Sequence, residues 1–381
     1  MGQRHAVVIG GGIVGLSAAV GLHRTGWRVT VYERAPEFSA IGAGISIWPN
    51  AQRALAELGV DAPLQPQRDG TLFDQHGRRL ATWSQDAYVR RYGLPLAAIH
   101  RADLIAALCT QLPSSSLHTG VDVLSATPGG LVTHASGAVR ADLVVAADGI
   151  HSPIRTSLYP RPHVAYSRGT AFRGVAELPG TELSLQWGRG TEIGALPLRD
   201  GRVYWWIAEA RQEGIRHADP RAYLLSRYGS WHVPIPTLIA SSPEVLHHDL
   251  RHLAAPLPSY AHNRLALLGD AAHAMPPYLG QGGCQGIEDA VVLAACLAAG
   301  DDVAAGVREY DALRRPRSQR VWRTSIRAGS MGPLLRNPVG AAVRTAVLRL
   351  APPSVMARAE SWINDWRPPR LPRTTTASGH S

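Results

Sequence analysis

The pattern of apolar positions is legible from the start of the chain. His5–Ile9 is a short apolar run that predicts a buried strand, and "GGGIVG" (Gly10–Gly15) turns it. Val14–Leu22 then carries apolar residues at helical spacing, and "WRVTVYE" (Trp27–Glu33) alternates as a second strand does. These pieces make a strand–helix–strand unit of the length a parallel crossover needs. Ala102–Leu112 also has helical spacing, Ala141–Gly149 ("ADLVVAADG") reads as another buried strand ending in a turn, and Leu265–Leu268 as a third. Between about Tyr166 and Trp231 the style changes. Segments such as "TELSLQWG" and "GRVYWWIAEA" set aromatic and β-branched residues between Gly-rich turns, the pattern of antiparallel strands. A helical tail follows from "EYDALRRPRSQRV" onward, interrupted by Pro333, Pro338, Pro352 and Pro353.

This pattern predicts an α/β (α+β overall) chain: a Rossmann-like nucleotide-binding domain, discontinuous in sequence, with an inserted antiparallel β-sheet domain. The expected division gives 1–65, 96–165 and 264–328 to the nucleotide domain. Residues 66–95 and 166–263 form the β-rich domain, and 329–381 a C-terminal helical segment with a flexible tail. A length of 381 residues suits two packed domains.

Composition narrows the chemistry. Hydrophobic content of 45% with 18% charged residues describes a globular protein, and no run nears the roughly 18 apolar residues of a membrane span. No cleavable apolar leader precedes the first strand, so a cytoplasmic setting is expected. Cys109, Cys284 and Cys296 form neither a disulfide framework nor a metal-binding pair, and no metal is expected. All 39 Lys+Arg residues are arginine, which excludes a P-loop lysine, a Schiff-base lysine or any other catalytic ammonium. Residues 308–373 hold 14 Arg against 4 acids, so the whole net charge of +10 belongs to this segment. It lacks the interleaved aromatics or recognition motif of a nucleic-acid surface, and reads as a solvated helical face. Neither a nucleic-acid partner nor membrane contact is expected.

Gly10, Gly12 and Gly15 fit G-x-G-x-x-G between a strand and a helix. The first makes the tight turn, the second admits a pyrophosphate to the backbone, and the third lets helix and strand pack closely. Glu33, 21 residues after Gly12 at the end of the next strand, can accept the hydroxyls of an adenosine ribose. FAD and NAD both satisfy this unit. "GDAAHAMPPYLGQGGCQGIEDA" (Gly269–Ala290) separates them, because it places Asp270 at a second strand end and Gly282–Gly283 at a second helix start. A nicotinamide dinucleotide has no need of that second cradle, whereas a cofactor with a ribityl chain and a tricyclic ring does.

With these motifs the chain resembles the single-component FAD-dependent aromatic hydroxylases typified by para-hydroxybenzoate hydroxylase, whose relatives include salicylate hydroxylase, urate hydroxylase and zeaxanthin epoxidase. The resemblance covers roughly residues 5–325 and rests on three motifs in order: Gly10–Gly15 with Glu33, Asp148–Gly149 with Arg155, and Gly269–Asp270 through Asp289–Ala290. "GAGISIWPNAQRALAELG" (Gly42–Gly59) is similar as well. The resemblance implies non-covalent FAD, reduced by NADH or NADPH, and a monooxygenase in which O2 adds at flavin C4a. The resulting hydroperoxide would deliver one oxygen atom to an aromatic or olefinic small molecule, by hydroxylation or epoxidation. A monomer or homodimer is expected.

The resemblance also implies residue roles. Asp270 would hold the ribityl and pyrophosphate part of FAD and Arg101 the same linker. Gly282 and Gly283 would offer N–H groups to the pyrimidine edge, and Asp148 and Gly149 would serve FAD. Ile13, Val14, Arg34, Gly44, the stretch around residue 122 (Asp122), Pro277, Gly280 and Cys284 complete the expected cofactor contacts. Cys284 reads as a small buried side chain, not a covalent anchor, and His273 as a structural histidine. Candidates for the substrate wall are Trp48, Phe172, Arg173, Trp187, Pro276 and Tyr278, with Trp205, or else Tyr204 and Trp206, on the inward face of one strand. No side chain is assigned as catalytic, since flavin C4a is the reactive centre. The C-terminal segment is expected to pack over the domain junction and shape substrate access. No clamp for a carboxylate stands out, so a neutral substrate is expected.

Three other functions compete. A flavin halogenase depends on a lysine and on a WxWxIP stretch; the chain has no lysine and reads "YWWIAEA", which excludes it. A flavin reductase or dehydrogenase that never activates O2, and a non-catalytic FAD-binding partner protein, both stay open.

Overall fold

The computed structural model describes residues 3–38, 43–161, 163–350 and 361–372. Gly42, Pro352, Pro353 and the tail from residue 373 lie outside the described residues.

His5–Ile9, Leu143–Ala146 and Leu265–Leu267 are buried along their whole length, which is why they carry unbroken apolar runs. Such strands belong inside a parallel sheet covered on both faces. They form the middle of a six-stranded sheet. His5–Ile9 lies between Leu143–Ala146 and Arg28–Tyr32, both parallel, with Ile9 opposite Ala146 and Tyr32. Leu265–Leu267 extends the sheet in parallel, and Ala261–His262 closes that edge antiparallel.

Two helices begin at glycine-rich turns on this side of the molecule: Ile13–Arg24 packs on the sheet, and Gly282–Ala298 packs against Ile13–Arg24. Ile13–Arg24 begins after the turn at Gly10, whose φ of +102° suits glycine. A Cβ on Gly15 would lie 1.9 Å from the Gly10 carbonyl oxygen, so only glycine lets the helix start this close to the strand. Gly282–Ala298 runs beside it, and a Cβ on Gly286 would meet Val14 Cγ2 at 2.2 Å. The glycines therefore bring both helix N-termini to one end of the sheet.

The second large sheet has seven strands, in the order Leu246–Leu253, Val164–Glu177, Arg202–Ala210, Thr191–Pro197, Ser184–Gly188, Gly70–Asp74, Arg79–Trp83. Its pairs are antiparallel except Ser184–Gly188 with Gly70–Asp74, the parallel joint where the early segment joins the later one. The stretch 166–263, expected as β-rich, also holds helices Pro220–Tyr228 and Ile235–Ser241. Asp219 caps the first, accepting from the Ala222 N–H at 3.0 Å, and Pro220 sits at the helix start where its missing N–H costs nothing. These helices cover one face of the sheet and bury Phe172, Val203, Trp205 and Ile207. The opposite face carries Tyr204 and Trp206.

The C-terminal region supplies a 29-residue helix, Val303–Met331, and a second helix, Pro338–Leu350. Pro316 lies on the exposed side of the first, so its missing donor faces solvent. Among the described residues, no helix is long and apolar enough to cross a membrane.

Candidate functional site

One cavity of about 1430 Å³ runs from the two glycine-rich helix starts to the open face of the seven-stranded sheet. At its first end are Gly12, Ile13 and Val14, Gly149, Arg101, Asp270, Gly282 and Gly283. Two helix N-termini and an arginine thus border this end of the cavity, which suits anionic groups. The fit to FAD can be tested on the backbone. A Cβ at Gly12 or at Gly149 would meet nothing within 4 Å, so both residues border empty space and not packed protein. Beside Gly149, Asp148 Oδ1 is buried without a partner, and burial raises this carboxyl above its usual range. These features fit a ribityl-diphosphate cofactor.

Arg101 is reached from the cavity but ringed by protein. Enclosure depresses its guanidinium from the ordinary value, while Asp270 opposes that shift. Arg155 is 2% exposed, and its place is structural. It donates from Nη1 to the Ala271 carbonyl at 3.2 Å and from Nη2 to the Ile150 carbonyl at 2.5 Å. The Asp148–Gly149 turn and the Asp270 turn are therefore tied together by one buried side chain.

A buried ionic cluster holds the loop Gly269–Gly283. Asp289 Oδ2 accepts from the Gly269 N–H at 3.0 Å and pairs with His273 Nε2 at 2.6 Å. Arg314 donates to Asp289 Oδ1 at 2.7 Å and to Glu288 Oε2 at 2.5 Å; Arg317 and Asn50 complete Glu288. Burial pushes the Asp289 carboxyl up, but His273 and Arg314 hold it below the ordinary carboxylate range.

The other end of the cavity is aromatic. Trp48, Trp187, Tyr204, Trp206 and Tyr278 line it, together with Arg173 and Pro277. Tyr204 and Trp206 stack at 5.5 Å, and Trp206 lies flat over Gly194, where a Cβ would come within 2.1 Å of the ring. Tyr278 packs its ring on Gly329, and its hydroxyl is buried without a partner. The helix Pro338–Leu350 forms the rim through Val343, Arg344, Val347 and Leu348.

Several expected contacts lie elsewhere. Trp205 points to the opposite face, where its indole donates to Ser242 Oγ at 2.6 Å, and Phe172 stacks on His247 in the same buried layer. Strand alternation sends both away from the cavity. Pro276 is displaced from the wall; its carbonyl accepts the Ser325 hydroxyl at 2.6 Å. Gly10, Gly15 and Glu33 shape the first turn without lining the cavity, Glu33 accepting from the Gly11 and Ala35 N–H groups at 2.6 and 2.9 Å. Arg34 and Asp122 are exposed. Gly44 and Gly280 do line it. Cys284 is fully buried with its thiol pushed up to about 12, packed under the cavity floor.

The wall is also more polar than expected. Arg173, His248 and the buried Glu192 all reach the cavity. Glu192 Oε2 accepts from Trp187 Nε1 at 2.8 Å and Oε1 from Trp206 Nε1 at 3.1 Å. The sequence held a usable signal for the first bond, since a glycine-flanked turn (Gly188–Gly190) brings Trp187 directly opposite Glu192.

Comparison with known proteins agrees with this geometry. A model of the FAD binding domain matches residues 125–325, and one of FAD dependent oxidoreductases matches residues 5–88. The chain is 37% identical over 341 residues to the aurachin C monooxygenase/isomerase of Stigmatella aurantiaca, covering 86% of this chain and 89% of that one. It is 33% identical to the FAD-dependent urate hydroxylase of Klebsiella pneumoniae, covering 81% and 85%. A Klebsiella pneumoniae structure complexed with FAD and uric acid superposes with a TM-score of 0.87 at 28% identity, over 93% of this chain and 95% of that one.

Proposed function

The chain belongs to the family of FAD-dependent aromatic hydroxylases, and from that premise we propose that it inserts one atom of O2 into an aromatic or olefinic small molecule at the expense of NADH or NADPH. FAD is the cofactor. When bound, it supplies electron transfer from the nicotinamide and activation of O2 at its C4a carbon. The observation that carries this reading is the single cavity joining the cofactor cradle to an aromatic wall.

The chain's own residues bind, orient and exclude water. Asp270 and Arg101 would hold the linker of FAD. Gly282 and Gly283 would present free N–H groups at the start of a 17-residue helix, favouring negative charge on the ring nearby. Trp206, Tyr204 and Trp187 would sandwich a planar substrate and keep the reacting face dry. Near the mouth, Met331, Val343 and Val347 border the cavity as an apolar rim and are 72%, 59% and 59% exposed. That rim suits an apolar substituent on the ring. The urate hydroxylase and aurachin C monooxygenase relatives, named for ring-bearing substrates, support the same class.

The test is a purified holoenzyme supplied with NADH or NADPH and a panel of aromatic compounds. The reading expects at least one compound to accelerate flavin reduction and to yield an oxygenated product with O2 uptake. Nicotinamide consumption that yields a reduced product without O2 uptake would instead identify a reductase. Flavin that no compound allows to be bleached would identify a non-catalytic partner.

A further inference from the structure

Glu192 is an unusual group to find between the aromatic side chains that line this end of the cavity. A buried carboxylate is costly unless its oxygens are satisfied. It forms no ion pair among the described residues. Its support is two indole N–H groups, one on each oxygen, from Trp187 and Trp206. Arg344 lies over the Trp187 ring at 4.9 Å, and its guanidinium nitrogens donate to the Gly332 and Gly188 carbonyls instead. The cation therefore acts across the ring and leaves the carboxylate open. An ionised carboxylate offers about four lone-pair sites, so roughly one per oxygen is left for a ligand. The two indoles are rigid and fix where those sites point. Tyr278, whose buried hydroxyl has no partner, borders the same end of the cavity.

We propose that Glu192 selects the substrate by accepting a hydrogen bond from it, so that the enzyme takes rings bearing a phenolic O–H or a ring N–H and discriminates against those without one. This inference rests on the reading of the cavity as a monooxygenase site. It also supplies a chemical step. The donor proton passes to a Glu192 oxygen, the carboxylate becomes a carboxylic acid, and the substrate becomes an anion with no change in electron count. The negative charge enters the ring and makes it a better partner for an electrophilic oxygen. Glu192 then returns the proton when the product regains its neutral form.

The test uses the holoenzyme and two pairs of probes: 1-naphthol against 1-fluoronaphthalene, and 4(1H)-quinolone against its N-methyl derivative. Dissociation constants are read from the flavin difference spectrum. The native enzyme is expected to favour the donor-bearing member of at least one pair by about 10- to 150-fold, the worth of a hydrogen bond to a charged group. Glu192→Gln should bring that ratio to within about threefold. A Glu192 that served only to pin the two tryptophans would leave the ratio near one in the native enzyme, which settles the matter even if E192Q loses its flavin. A ratio near one, failure of both donor probes to bind, or an unchanged ratio in E192Q overturns the proposal. Oxygenated product with no discrimination would sink this inference and spare the monooxygenase reading; discrimination without oxygenation would do the reverse.

Discussion

Arg314 donates from Nε to Asp289 Oδ1 at 2.7 Å, both side chains being essentially inaccessible to solvent. That one bond joins the long C-terminal helix to the carboxylate that holds the Gly269 N–H, and so fixes the start of the Gly269–Gly283 loop that borders the cavity. Removing one partner of a buried pair leaves an uncompensated charge. Arg314→Leu should therefore cost about 3–5 kcal/mol of stability and much of the bound FAD. Thermal melting and flavin absorbance check this, with Arg308→Leu as a control. Arg308 sits in an exposed pair with Asp302, and its loss should change little.

The same cluster gives the stability a definite acid limb. Asp289 is held below the ordinary carboxylate range by His273 and Arg314, against burial. A carboxyl depressed in the folded state contributes fully above its unfolded value, about pH 4, and loses that contribution as the pH falls further. Urea midpoints should thus decline below about pH 4. Asp289→Asn should be less stable at neutral pH and show a shallower decline.

The glycines of the first turn should separate folding from cofactor binding. At Gly12 a Cβ meets nothing within 4 Å, although the residue borders the cavity. Gly12→Ala should melt like the native apoprotein while weakening FAD by tenfold or more, about 1.4 kcal/mol. At Gly15 the Cβ would strike the Gly10 carbonyl, so Gly15→Ala should destabilise the apoprotein itself by about 1–3 kcal/mol.

Cys284 is expected to be inert. Its thiol is fully buried and pushed up to about 12, so little thiolate forms at neutral pH. Native protein should resist alkylation by iodoacetamide at this position, and denaturation should release all the flavin. Flavin retained on a peptide containing Cys284 would contradict the non-covalent assignment.

The rim helix makes its own prediction. Val343 and Val347 are more than half exposed, so Val343→Asp with Val347→Asp should leave the melting temperature within a degree or two, surface changes being nearly neutral. Affinity for aromatics with a long alkyl substituent should fall, while that for unsubstituted rings should not. Equal losses for both would place the rim outside the substrate path.

How much of this was legible depended on the range of the interactions. The unbroken apolar runs at Ala6–Ile9 and Leu143–Ala146 announced central parallel strands because local composition decides burial there. The glycines at 10, 12 and 15 were equally readable, since each answers a local steric demand. Period-two alternation predicted that Trp205 and its neighbours Tyr204 and Trp206 would part company, but not which side would face the cavity. That choice was made by helices Pro220–Tyr228 and Ile235–Ser241, which cover the Trp205 face. Glu192 escaped notice because its partner Trp206 is set by a sheet register two strands from Trp187. Arg314 read as one more arginine in a basic tail, and only tertiary packing distinguishes it from its solvated neighbours.

The most direct test of the central claim is incorporation of labelled oxygen. Holoenzyme, NADH or NADPH and a substrate that accelerates flavin reduction are incubated under 18O2, and the product is weighed by mass spectrometry. Each molecule of product should carry one 18O atom, with none incorporated when the label is in water. A product that carries no label from 18O2 would contradict it.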